Sequence, residues 1–450
     1  MSMVATIIQT AASSLIAFAA PHLDVTPATA LIDRPVVIRA SGLAPGSRAT
    51  FTLETTGARG ERWQSIAICE ADRHGAVDLR SCKPLASSSY ASVDAMGLFW
   101  SMRPVEHPDA GYFPAPKTRT TDYRLTLESG SAAPVTQAIV REAWDATVRS
   151  MPAPAPLVGT YFVPVNARHA PAVLVLGGSE GGHAMDPVAA LLASHGYAAL
   201  SLAYFGASGL PKTLVRVPLE TAAAGFAWLA RQPEVDPSRI GVWGISKGGE
   251  YALLAAARSH DVKAVVAVVP SAYAWFGLEF SGDEMSSWSE NGVALPFLPS
   301  EAQADGAIGK AFSLGGDVQY RSVYDAALRT ASPATIAQAT IPVDRITAPL
   351  LLVCGEDDRE WDSCGMTQTA IDRFHANGHA FAAQRLAYPN AGHAIGVPYL
   401  PTLGSTAFPA GKARIVLGGT AAGNAFAASA AWANELRFLN TALHGSGPGL

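Results

Sequence analysis

The chain has 450 residues, 49% hydrophobic and 15% charged, a length that favours two packed cores over one and a composition without disordered charge runs. Its net charge of −5 and pI near 6.1 offer no basic footprint for nucleic acid. No apolar stretch approaches the roughly 18 uninterrupted residues of a membrane span.

Taken in chain order, residues 1–20 form a candidate signal peptide, with an apolar run over residues 3–20 and an A-x-A pattern at Ala17-Phe18-Ala19, although no lysine or arginine precedes Arg34. Residues 21–150 read as an all-β, immunoglobulin-like sandwich. Short alternating runs at 36–40, 49–53, 63–68 and 123–127 are separated by turn pairs such as Pro45-Gly46 and His74-Gly75. Residues 151–156 (Met-Pro-Ala-Pro-Ala-Pro) form a semi-rigid joint. From residue 158 strand-like and helix-like runs alternate, so 151–450 is expected to be an α/β domain built on a mostly parallel sheet. No internal repeat is present. The four cysteines fall as two local pairs, Cys69 with Cys82 and Cys354 with Cys364. An even, paired count suits disulfides in an oxidising compartment, while buried free thiols are the alternative. Together with the leader it favours a periplasmic or secreted location over a cytoplasmic one.

The sharpest signal is Gly244-Ile245-Ser246-Lys247-Gly248, between an apolar strand-like run (240–243) and an Ala/Leu-rich helix-like run (251–257). This is the G-x-S-x-G nucleophile elbow in its expected setting, a tight strand-to-helix turn that exposes a serine hydroxyl. Glycines are needed because the turn leaves no room for a Cβ, and the helix behind the serine aims its positive end at a developing oxyanion.

A serine hydroxyl needs a base, and the base needs an orienting carboxylate. In hydrolases of this kind the order is serine, acid, histidine. The apolar run 349–355 ends in Gly355 and is followed by Glu356-Asp357-Asp358; a second short strand, 386–389, leads into Asn390-Ala391-Gly392-His393. The expected triad is Ser246, Asp358 and His393. Asp358 is preferred for lying three positions after the turn glycine, with Asp357 and Glu356 as alternates, and Asp362 reads as a helix cap. Taken singly, a loop histidine is solvated more often than catalytic, and adjacent aspartates can simply end a strand; the order and the strand-end placements together carry the assignment. The oxyanion hole should use the backbone N–H of Lys247 and one from the loop Gly177-Gly178-Ser179-Glu180-Gly181-Gly182, placed at Ser179 with Gly178 and Glu180 close behind. Phosphate cradling is the rival reading of that loop, but the glycine spacing is not G-x-G-x-x-G.

The segment 271–342 is an insertion between the elbow and the acid, carrying Tyr273, Trp275, Phe276, Phe280, Trp288, Phe297 and Tyr320. Two expectations stand beside each other: a cap whose aromatics line an acyl pocket, or rings that pack the segment onto the sheet. Ser281-Gly282-Asp283-Glu284 reads as a loop. Histidines and cysteines lack metal-ligand spacing, and no cofactor motif appears.

Beyond these anchors, the runs 196–206 and Leu210-Pro211-Lys212, with Gly244 to Gly248, Ile341-Pro342-Val343, Gly355 to Asp358, Asn390 to His393 and Gly418-Gly419-Thr420, resemble the acyl-CoA thioesterase / bile acid-CoA:amino acid N-acyltransferase family. Upstream, Ile32 to Val36 and Asp94 to Trp100 extend the resemblance over nearly the whole chain after residue 23. It implies a β-sandwich in front of an α/β-hydrolase domain, cleavage or transfer of acyl groups from coenzyme A thioesters, and the same triad, Ser246, Asp358 and His393. One departure matters: the transferase branch uses cysteine at the elbow to pass the acyl group to glycine or taurine, whereas this chain has Ser246. Hydrolysis of a small-molecule acyl thioester is therefore the expected activity. An exported carboxylesterase or amidase, an acyl-CoA:amino acid N-acyltransferase, and a non-catalytic binding module are the alternatives.

Overall fold

The protein is described from a computed structural model that covers residues 20–106, 118–279, 284–376, 378 and 380–444. The candidate leader, apart from Ala20, lies outside the described residues, as do Phe280 and Ser281-Gly282-Asp283.

An eight-stranded sheet organises the C-terminal part. Its strands are β1 (Val148–Pro152), β2 (Val158–Pro164), β3 (Ala170–Leu176), β4 (Ala198–Ala203), β5 (Val235–Ile245), β6 (Val262–Val268), β7 (Leu350–Gly355) and β8 (Ala383–Tyr388), in the spatial order β1-β2-β4-β3-β5-β6-β7-β8. The β1–β2 and β2–β4 pairs are antiparallel and all later pairs are parallel. Every residue of β3, β4 and β7 is buried, which is why these strands read as unbroken apolar runs instead of alternating ones: helices cover both faces. Helices α1 (Asp186–Ser194) and α5 (Ala421–His444) pack on one face. Helices α2 (Glu220–Leu229), α3 (Lys247–Ala256) and α4 (Ser363–Ala376) pack on the other. This is the α/β-hydrolase fold. The Pro-rich stretch from residue 151 begins inside the edge strand β1, so the sheet starts a few residues before it.

Upstream, a six-stranded sheet in the order Thr29–Leu31, Val135–Glu142, Thr120–Ser129, Arg48–Thr56, Arg62–Glu70, Arg103–Pro104 faces a three-stranded sheet of His22–Thr26, Val37–Ser41 and Val77–Asp78. The strict burial alternation of Arg48–Thr56 and Arg62–Glu70 shows one face turned to a core and the other to water. That core is separate, centred on Phe51, Leu53, Trp63, Phe99 and Leu125. A disulfide joins Cys69 to Cys82 in this part, and a second joins Cys354 of β7 to Cys364 of α4.

The sandwich and the eight-stranded sheet with its helices are locked together by polar bonds. Asp33 Oδ2 accepts a hydrogen bond from Trp432 Nε1 of α5 at 2.8 Å and meets His195 Nε2 at 2.5 Å. Thr402 N–H donates to the Trp100 carbonyl at 3.0 Å. Ile32 enters the core under the sheet, while Ala425 of α5 enters the core of the sandwich.

Within the segment 271–342, Trp275, Phe276, Trp288 and Tyr324 are buried in the core that α3 helps to form, with the Trp288 ring stacked on Tyr251 at 4.7 Å. For these four rings packing accounts for the position. Tyr273, Phe297 and Tyr320 stay half-buried.

Candidate active site

Strand β5 feeds directly into α3, and the turn between them carries Ser246 at φ +55°, ψ −124°. That is a sparsely populated conformation for a residue with a Cβ, held here because both neighbours in the motif give up their own. A Cβ on Gly244 would collide with the Gly248 carbonyl, and one on Gly248 with the carbonyls of Leu176 and Gly177 at the end of β3. The result pushes the serine out at the C-terminal edge of the parallel sheet.

Asp358 and His393 follow β7 and β8, which lie beyond β6 along the same edge. His393 Nε2 lies 2.8 Å from Ser246 Oγ, and His393 Nδ1 lies 2.9 Å from Asp358 Oδ2. Facing a carboxylate, Nδ1 carries the ring proton and donates it, leaving Nε2 to accept from the serine hydroxyl. Asp358 is fully buried, and its other oxygen accepts from the backbone N–H groups of Glu360 at 2.9 Å and Trp361 at 3.2 Å. Ser246 and His393 are each 8% exposed, so the reacting edge is shielded but open to a ligand. Burial is the largest single influence and opposes a charge on His393, but the charge and hydrogen bond of Asp358 together with Glu360 and Glu180 outweigh it, so the imidazole is raised above its ordinary value. The Trp361 ring sits edge-on to the imidazole at 5.3 Å and is itself anchored through Nε1 to the Val269 carbonyl at 3.0 Å.

The alternates to Asp358 do other work. Asp357 Oδ2 accepts from Gly419 N at 3.0 Å while Oδ1 pairs with Arg359 at 2.5 Å, and Glu356 is exposed. Asp362 Oδ1 accepts from Gly365 N at 3.2 Å, as a helix cap does at the start of α4. The loop carrying Asp358 is closed at its base by the Cys354–Cys364 disulfide. The histidine loop is tied down by the buried Asn424 of α5, whose Oδ1 accepts from Gly392 N at 2.8 Å, and by His393 N–H donating to the Leu417 carbonyl at 2.9 Å.

Of the two expected oxyanion donors, Lys247 is the first residue of α3, where its N–H has no carbonyl four residues back to bond. Ser179 lies in the exposed loop after β3. In that loop Gly178 makes the close approach: a Cβ there would lie 3.1 Å from the Ser246 Cβ. The loop is braced from below by the Tyr204 hydroxyl, which donates to the Gly177 carbonyl, and by Gly182 N–H donating to Phe205 O at 2.8 Å.

Several residues at the site carried no signal in the sequence. The Lys247 side chain is buried, with Nζ 3.1 Å from Glu250 Oε2 and 3.0 Å from Ser287 Oγ. Glu250, also buried, accepts from Trp275 N at 3.0 Å and Trp288 Nε1 at 2.5 Å through Oε1. The pair lies within α3, and its bonds to Ser287, Trp275 and Trp288 stitch that helix to the segment 271–342. Glu360, half-buried, lies within electrostatic reach of His393, Asp358 and Lys247, and burial with the neighbouring Asp358 raises its carboxyl to about 7 against the pull of His393 and Lys247. Asn424 and Trp361 join this group; a buried asparagine on an Ala-rich helix is visible only once the loop it holds is known. Among the described residues no cluster of three or more His, Cys, Asp or Glu could hold a metal ion, and no described helix is long and apolar enough to cross a membrane.

A family model described as "BAAT / Acyl-CoA thioester hydrolase C terminal" matches residues 217–445, and one described as "Acyl-CoA thioester hydrolase/BAAT N-terminal region" matches residues 33–152. Acyl-coenzyme A thioesterase 1 of Homo sapiens is 28% identical over 420 residues, spanning 92% of this chain and 94% of its own. Acyl-coenzyme A amino acid N-acyltransferase 2 of Rattus norvegicus is 29% identical over 404 residues, spanning 84% and 88%. Bile acid-CoA:amino acid N-acyltransferase of Mus musculus is 28% identical over 444 residues, spanning 93% and 96%. With more than half of its length matched by the C-terminal model and a sandwich and sheet in the corresponding order, the chain belongs to the BAAT / acyl-CoA thioester hydrolase family.

Proposed function

We propose that this protein hydrolyses acyl-CoA to a free carboxylic acid and coenzyme A through a covalent acyl-serine, with Ser246 as nucleophile, His393 as base and acid, and Asp358 as the orienting carboxylate. The single observation that supports this most is the continuous bonding from Ser246 Oγ through the imidazole to Asp358. Ser246 Oγ attacks the thioester carbonyl as its proton passes to His393 Nε2. The tetrahedral oxyanion is held by backbone N–H groups of Lys247 and of the loop at Gly178–Ser179. Collapse expels the thiol, which takes the proton back from Nε2. A water then repeats the sequence on the acyl-serine ester, and the acid is released. Serine in place of cysteine supports water as the acceptor over an amine. We assign the sandwich at 21–150 and the catalytic part at 151–450 as separate domains, with 271–342 an insertion of the latter.

A second reading keeps the same steps on an ester or amide outside the cytosol; the two disulfides favour it. The test is kcat/KM for a chain-length series of acyl-CoAs against matched simple esters, with Ser246→Ala as the blank. A clear preference for the thioesters supports acyl-CoA hydrolysis. Equal or faster ester cleavage, abolished in Ser246→Ala, moves the protein to the second reading.

A further inference from the structure

Two carboxylates near the triad residues, Glu180 and Glu360, take no part in the steps above. The point that a Gly178 Cβ would occupy lies 2.7 Å from Glu180 Oε2 and 3.1 Å from the Ser246 Cβ. The Glu180 carboxylate is thus within about 6 Å of the nucleophile's side chain, the range over which a charge changes its neighbour's chemistry. Glu360 approaches from the opposite loop, its N–H bonded to Asp358 at 2.9 Å and its side chain within electrostatic reach of His393, Lys247, Tyr320 and Tyr324. The positive charges nearby are already committed. Lys247 is bound to Glu250, Arg321 pairs with Asp362 at 3.2 Å and Asp325 at 3.5 Å, and Arg359 pairs with Asp357. Near a substrate carbonyl at Ser246 there are therefore two carboxylates without a described ion-pair partner, Glu360 half-buried and Glu180 on the solvent side.

We propose that Glu180 and Glu360 are specificity-determining residues that select against acyl groups bearing a carboxylate a few carbons from the thioester and favour neutral and, above all, cationic ones. The inference rests on the proposed acyl transfer to Ser246. A carboxylate brought beside these two side chains is repelled and loses its water, whereas a quaternary ammonium is attracted. The phosphates of coenzyme A are carried on the leaving group, away from the acyl side, and are further weakened by screening over about 8 Å at physiological salt.

The test compares three chains of similar length, pentanoyl-CoA, glutaryl-CoA and 4-(trimethylammonio)butanoyl-CoA, each rate corrected for the enzyme-free rate because the glutaryl carboxylate can expel CoA by closing to the cyclic anhydride. In the wild-type protein kcat/KM should fall about 10- to 100-fold from pentanoyl to glutaryl, and the ammonium substrate should match or exceed pentanoyl. Glu360→Gln and Glu180→Gln should each raise the glutaryl-to-pentanoyl ratio several-fold, and the double variant more. Both changes keep the size of the side chain, so exclusion by shape alone would leave the ratio where it was. Taking ratios within each variant removes any general loss of activity. Discrimination should also grow from pH 6 to pH 8 as Glu360 gives up its proton. Over that range His393 likewise loses positive charge, Asp358, Glu180 and the paired Lys247 and Glu250 also face the site, and Tyr320 and Tyr324 stay protonated; only the Glu360 share of the growth should vanish in Glu360→Gln. Ratios near one in the wild type, or unchanged in both variants, overturn the proposal. If no CoA thioester is cleaved but p-nitrophenyl esters of the same three acids are, the CoA reading has failed; the same ratios on the esters then decide this proposal separately.

Discussion

The two sides of the active site are held by different means. Ser246 is positioned by backbone alone: a buried parallel strand, a turn in which Gly244 and Gly248 pass within collision distance of carbonyls, and a helix start. Asp358 and His393 sit on loops, and those loops are held by side chains and a cross-link: the Cys354–Cys364 disulfide, Asn424 on Gly392, Asp357 on Gly419, and Trp361 against the imidazole. The nucleophile is therefore as rigid as the sheet, while the acid and base are only as well placed as their tethers. Damage to the first side should show as lost chemistry or lost fold, and damage to the second as graded loss of alignment.

The largest effect tests the chemistry itself. Ser246→Ala and His393→Ala should each lower kcat by about 10⁴- to 10⁶-fold, and the double variant hardly further, because the residues act as a unit. Steady-state kinetics on a neutral acyl thioester reads this; substantial activity in either single variant removes the proposed triad. Next, Asp358→Asn should cost about 10⁴-fold in kcat by stabilising the wrong imidazole tautomer. Asp357→Asn should cost far less, since its bonds are to Gly419 and Arg359. Equal losses in the two would return the acid assignment to the whole cluster.

Below these come two tests of the tethers. Glu250→Ala leaves the buried Lys247 ammonium without its partner and frees Trp275 and Trp288, so it should destabilise the fold by about 3–5 kcal/mol, read as a fall in denaturation midpoint. Replacing Cys354 and Cys364 by serine should lower kcat as well as stability, because that bond closes the loop that bears Asp358. The same change at Cys69 and Cys82 should lower stability by a similar amount, about 2–4 kcal/mol, with kcat preserved. A kcat response identical for both pairs would break the comparison drawn above. The smallest effect is in pH. His393 must be neutral to accept the serine proton, and its pKa is raised chiefly by Asp358 against burial. Activity should therefore fall as pH drops, with the midpoint of that limb above the 6.5 of an unperturbed imidazole. In Asp358→Asn the limb should move to lower pH.

Much of the fold can be read from short runs of residues. The all-apolar runs at 172–176 and 350–355 announce strands buried on both faces, and the strict alternation at 49–53 and 63–68 announces strands with one wet face. The glycines around Ser246 are legible because a nucleophile elbow is a backbone device, and backbone constraints write themselves into neighbouring positions. Chain order and strand ends together point to Ser246, to His393 and to a carboxylate among residues 356–358.

The rest depends on distances between segments that lie far apart in sequence. Asp358 and Asp357 are chemically identical neighbours, and only the direction each points in the folded loop separates an oxygen 2.9 Å from an imidazole from one that binds Gly419. Glu250 reads as an ordinary helix glutamate until Trp275, Trp288 and Lys247 close around it. Asp33 and His195 are separated by 162 residues, yet they meet where the sandwich seats on the sheet. The sequence by itself determined the elbow, the order of the site and the two kinds of sheet, because each of these is set by contacts within a few residues or by the water on one side of a strand. Which carboxylate holds the histidine, which rings are core and what charge surrounds the substrate were decided by tertiary packing alone, since burial and electrostatics are properties of the space between segments and not of any one of them.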